Sequence, residues 1–71
     1  MVLDAKVIEA QLQELTVEKV KVKLDKQLDI ATSIRETDNG YVIQLNPSRI
    51  RNQDKLDKQL NFCRGAITHY Q

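Results

Sequence analysis

Apolar residues first recur at Ala5, Ile8, Leu12 and Leu15. Steps of three, four and three line one face of a helix turning every ~3.6 residues. Asp4 stands where its carboxylate can accept the first free backbone N–H groups, as an N-cap does. Leu3 before it and Ile8 after it occupy the two positions of a hydrophobic staple. The spacing predicts a helix over residues 4–15.

The period then changes. Val20, Val22 and Leu24 alternate with Lys19, Lys21, Lys23 and Asp25, which is the two-residue rhythm of a half-buried strand. The same region also admits a helical stripe through Val17, Val20, Leu24, Leu28, Ala31 and Ile34. β-branched residues at every second position favour extended backbone, because their stiff side chains pack well on a pleated surface. A near-repeat pulls the other way: Lys23-Leu-Asp-Lys-Gln-Leu-Asp29 recurs as Lys55-Leu-Asp-Lys-Gln-Leu-Asn61, identical at six of seven positions. The second copy lies in a helical pattern, yet the flanks do not match and seven residues are too few for a repeat architecture. The strand is the expectation over residues 16–25.

Asp38-Asn39-Gly40 separates two further strand-like runs, 30–37 and 41–45. Asn-Gly tolerates positive φ at both turn positions, as a tight hairpin needs. With those two residues as the loop, Thr37 faces Val42 and Ile34 faces Leu45, and Tyr41, Ile43 and Leu45 share a face with Ile34. Asn46-Pro47 ends the run, since proline brings no N–H to a ladder. Leu56, Leu60, Cys63, Ile67 and Tyr70 then form one apolar stripe at helical spacing. Asn52 is its N-cap candidate, Asp54 sits in its first turn, and Ile50 anchors the loop leading in.

The fold class expected is α+β: a single domain over residues 1–71, helix–three-stranded antiparallel meander–helix, with both helices on one face of the sheet. The core expected is Ile8, Leu12, Leu15, Val20, Val22, Leu24, Ile34, Ile43, Leu45, Leu56, Leu60, Cys63 and Ile67.

Composition narrows the function classes. Seventy-one residues suit one domain, which hides only about 60% of its unfolded surface. Eleven Lys/Arg against ten Asp/Glu gives +1 at pH 7, so overall charge selects no polyanion as partner. Charge is uneven, however: residues 1–38 carry net −2 and residues 39–71 net +3. No apolar run approaches the ~20 residues of a membrane span, and the opening residues show no secretory pattern. A single cysteine excludes an intrachain disulfide and a four-cysteine zinc site. The expectation is a cytoplasmic protein with no membrane partner and no cofactor.

Few residues suggest chemistry. Cys63 lies in the core stripe, where a thiol behaves as a small hydrophobe, and no pair of carboxylates is placed for acid–base work. On the far side of the last helix stand Phe62, Gly65 and His69, with Ala66 at the edge. An apolar patch of that kind, Phe62, Gly65 and Ala66 with Tyr70 beside it, permits close approach of another chain. Lys19, Lys21 and Lys23 read as solvated charges guarding an edge strand against association.

Two resemblances add to this. Gly40-Tyr-Val-Ile-Gln-Leu-Asn-Pro47, followed by Leu56, Leu60, Cys63 and Ala66-Ile67-Thr68-His69, resembles the strand and zinc-helix approach of small HExxH metallopeptidases of the SprT-like and gluzincin type. Zinc held on such a helix needs two histidines one turn apart, with a glutamate to activate water. His69 matches the first histidine alone as a metal ligand, Tyr70 stands at the glutamate, and Gln71 follows. The resemblance therefore implies a degenerate or truncated relative and not an active hydrolase. The element order is also similar to that of the double-stranded-RNA-binding domain, which implies phosphate contacts from Arg49, Arg51, Lys55 and Lys58. That family opens its second helix with consecutive lysines, where this chain has Arg51-Asn-Gln-Asp54. The reading that results is a non-catalytic protein-interaction module, self-associating or binding another protein, with a zinc-peptidase remnant and a nucleic-acid binder as alternatives.

Overall fold

The computed structural model describes residues 2–69. Five elements follow one another: α1 (Ala5–Gln13), β1 (Lys19–Leu24), β2 (Thr32–Thr37), β3 (Gly40–Leu45) and α2 (Gln53–His69). It is a small α+β fold of two helices and a three-stranded sheet.

Both helix starts are built as their sequences require. The Asp4 carboxylate accepts the N–H groups of Lys6 and Val7 at 3.0 and 3.3 Å, and Leu3 and Ile8 are both buried. The Asn52 side chain accepts the Lys55 N–H at 2.9 Å. The segment read as either strand or helix is extended at Lys19–Leu24 and then turns, so no helical rod joins Val17 to Ile34. The first copy of the near-repeat lies across the end of β1 and the turn after it, and only the second copy is helical.

Strand order corrects the expected meander. The sheet runs β1-β3-β2, with β1 parallel to β3 and β2 antiparallel to it. The reason lies in composition. Thr32-Ser-Ile-Arg-Glu-Thr37 is the most polar strand and suits an edge, whereas a meander would place it in the middle. Gly40-Tyr-Val-Ile-Gln-Leu45 has no exposed residue and fills the central position. The hairpin register is corrected too. The loop is Asp38-Asn39, Thr37 pairs with Gly40 and Ile34 with Ile43. Neither Asp38 nor Asn39 is among the described residues with positive φ, where Gly40 stands alone, so the turn is not the mirror-image type that Asn-Gly suggested. Pairing shifted by an even number of residues leaves the faces unchanged, and Ile34 still shares its face with Tyr41, Ile43 and Leu45.

Gly40 is required for a different reason. Its φ is +147°, and a Cβ there would overlap the Lys19 carbonyl oxygen. The glycine admits the backbone of β1 to the side of β3.

One hydrophobic cluster joins Ile8 and Leu12 of α1, Leu60, Cys63 and Ile67 of α2, and Val20, Val22, Tyr41, Ile43 and Leu45 of the sheet. Residues of both helices thus share one core with the sheet. Ile50 is buried as the loop anchor, Tyr41 and Leu3 join the core, and Leu15, Ile34 and Leu56 sit at its margin. Leu24, expected inside, is 41% exposed because it ends an edge strand. The crossing from β1 to β2 is tied down by Asn46, which is buried. Its side-chain amide donates to the Leu28 carbonyl at 2.6 Å, and its backbone N–H donates to the Ala31 carbonyl at 2.9 Å.

Candidate interaction surface

The two edges of the sheet are treated differently. Even-numbered residues of β1 point their backbone groups away from β3, and α1 covers the two valine donors. Val22 N–H donates to the Glu9 carboxylate and Val20 N–H to the Gln13 side-chain oxygen, each at 2.9 Å. The Gln13 amide in turn donates to the carbonyls of Thr16 and Glu18, at 3.2 and 2.6 Å. Helix side chains stand here in place of a neighbouring strand.

Among the described residues the edge made by β2 has no such cover. Odd-numbered residues bond to β3, as the Asn46–Ala31 hydrogen bond that continues the ladder shows. Thr32, Ile34 and Glu36 therefore turn their N–H and C=O groups outward, and none has a hydrogen-bond partner for them among the described residues. The Thr32 hydroxyl donates to Gln59 Oε1 of α2 at 2.6 Å, and the Thr37 hydroxyl at the other end of the strand donates to the Gly40 carbonyl at 3.2 Å.

Beside this edge lies a groove of about 390 Å³, with Ile34, Tyr41, Ala66 and Phe62 among its lining. Phe62 is 58% exposed and Ile30, at the mouth of the same groove, 56%. The structure thus brings the expected patch residues Phe62 and Ala66 to the open edge. Gly65 is exposed, with nothing among the described residues within 4 Å of where its Cβ would be, so no packing among those residues explains a glycine in the middle of α2. Tyr70 lies outside the described residues, as does the side chain of His69, the last residue of α2. Ile30 and the β2 edge are the parts that sequence reasoning missed. Their signal was the polar composition of residues 32–37 next to an isolated isoleucine.

Other candidates are dispersed. Arg49 and Arg51 share a concavity of about 410 Å³ with Lys26, but Lys55 and Lys58 lie on the exposed side of α2 and do not line it. A larger concavity, about 590 Å³, carries Glu14, Glu18, Glu36 and Asp38 around its rim. No group of three metal-binding side chains is close enough to hold an ion among the described residues. Cys63 is fully buried, and burial pushes its thiol up to about 11, opposed by the nearby Arg64 charge. Such a thiol is a packing group at neutral pH.

The sheet face away from the helices carries Lys19, Lys21 and Lys23 of β1 and Arg35 of β2, all exposed. Because Glu9 and Gln13 already cover the β1 edge, guarding that edge does not account for the lysines.

No known family model matches the chain, and no curated protein or solved structure matches it either. No helix among the described residues is long and apolar enough to cross a membrane.

Proposed function

We propose that the chain is a small, non-catalytic protein-interaction module of the cytoplasm that docks an extended segment of its partner along β2. One observation carries the reading: among the described residues β2 presents unpaired backbone groups beside the exposed Phe62 and Ile30, while on the opposite edge α1 side chains accept the N–H groups of Val20 and Val22. Strand addition of this kind draws affinity from main-chain hydrogen bonds and specificity from pockets for alternate side chains. The groove between β2 and α2 offers one such pocket. A displayed library of extended peptides tests the reading. Selected peptides should slow amide exchange at Thr32, Ile34 and Glu36 and lose binding with Phe62→Asp or Ile30→Asp, but not with Lys21→Ala on the far face. Binding that ignores Phe62 and Ile30 would sink it.

A second reading rests on the uncovered basic face. Lys19, Lys21, Lys23 and Arg35 have no ion-pair partner among the described residues, where the single pair is Lys6–Glu9. A row of cations on a sheet suits a phosphate backbone. Retardation of duplex RNA, falling steeply with salt and abolished by alanine at the three lysines, is the result this reading requires.

A further inference from the structure

We infer that the segment docking on β2 is the β2 strand of a second copy of this chain, paired antiparallel with Ile34 opposite the partner's Ile34. This rests on the reading of β2 as a docking edge and names its occupant.

The edge is complementary to itself in one register. Only Thr32, Ile34 and Glu36 have outward backbone groups, so a two-fold pairing must match even-numbered residues with even-numbered ones. An axis at Arg35 sets that guanidinium against the partner's Arg35 in the closely spaced kind of pair, with Cα atoms ~4.5 Å apart and like charges facing. An axis at Ser33 leaves Glu36 beyond the partner's strand. An axis at Ile34 engages all three residues of each copy. It sets Thr32 against the partner's Glu36 and Ser33 against the partner's Arg35, so no like charges meet. The partner's Glu36 then arrives at the end of β2 where Thr32 is bonded to Gln59, and Lys55 lies one turn before Gln59 on the same side of α2.

The apolar parts agree with this register. Ile34 points to the helix side, at the margin of the core, and a facing pair of isoleucines extends the groove that Phe62 and Ala66 line. The axis brings the two α2 helices alongside each other in opposite directions, where Gly65 and Ala66 leave room for approach. The covered β1 edges then lie at the two ends of a six-stranded sheet. Association therefore closes at two copies and does not continue as a filament.

The experiment reads both mass and register. Sedimentation of the wild-type chain should show a monomer–dimer equilibrium, and Phe62→Asp should weaken it at least about tenfold while leaving the circular dichroism melt in place at dilutions where both chains are monomers. In a Cys63→Ala background, Ser33→Cys chains mixed with Arg35→Cys chains should form the mixed disulfide on oxidation, because facing residues of that pair type lie within bridging distance. Neither variant alone should cross-link. Cross-linking of Arg35→Cys or Ser33→Cys with itself overturns the register. A monomer at every concentration overturns the second copy as occupant. In that case the peptide selection separates the two ideas: peptides that still bind β2 leave the docking edge standing, and their absence removes it as well.

Discussion

The carboxylate of Glu9, on α1, accepts the backbone N–H of Val22, in β1, at 2.9 Å. With Gln13 one turn later, a helix does for β1 what a fourth strand would do. Removing both side chains strips four hydrogen bonds, two from the valine N–H groups of the β1 edge and two from the Gln13 amide to the Thr16 and Glu18 carbonyls. The two on the partly buried edge contribute about 1 kcal/mol each. Glu9→Ala with Gln13→Ala is expected to lower stability by about 1–3 kcal/mol in urea titration. It should also yield species larger than the wild type, since a second edge is then open. Glu9→Gln keeps the acceptor and should lose less than Glu9→Ala.

The two glycines are expected to respond in opposite directions. Gly40→Ala puts a methyl group into the Lys19 carbonyl, so β1 has to move off β3, and a loss of at least about 3 kcal/mol is expected. Gly65→Ala meets nothing within 4 Å and removes a flexible residue from a helix interior, a gain of up to about 1 kcal/mol. Thermal melts of the two variants beside the wild type read both signs.

Cys63 makes stability depend on alkaline pH. Its thiol ionises at 9.0 when unconstrained and at about 11 in the fold, chiefly through burial. Below pH 9 both states keep the proton and the thiol adds no pH dependence. Between pH 9 and about 11 the unfolded chain gives up a proton that the folded chain retains, so stability falls by up to about 1.4 kcal/mol per pH unit. Subtracting the same profile for Cys63→Ala removes the contribution of every other group. A difference that stays flat from pH 8 to 11 would contradict the assignment.

Asn46 links the end of β3 to the crossing segment through Leu28 and Ala31. Asn46→Ala leaves the Leu28 carbonyl without its amide donor, and a loss of about 2 kcal/mol is expected. Faster amide exchange across residues 25–31 would locate the damage, whereas exchange raised only in α1 would not fit.

What the sequence made legible was local. The caps at Asp4 and Asn52, the staple of Leu3 and Ile8, and the stripe of α2 depend on neighbours within a turn or two. The alternation of Val20 and Val22 told which face of β1 is buried, because side chains change sides at every residue. It did not tell which strand lies alongside. Placing β1 next to β3 depends on Gly40, the polar character of β2 and the Asn46 tie, and these act between residues far apart in the chain. The candidate surface was half legible for the same reason. Phe62, Gly65 and Ala66 stand out on one helix, but the open edge beside them exists only once β2 is known to be outermost.

The seat that Gly40 offers to Lys19 also orders events in time. Thr37 and Gly40 are neighbours in the chain and can close their turn early, since a short loop costs little entropy. The valines of β1 have α1 beside them but lack their β3 partners until that hairpin stands. On a ribosome, Leu45 must therefore emerge before the first strand finds its place. Until then α1 and β1 wait as an unfinished half, with their apolar sides bare to whatever binds nascent chains.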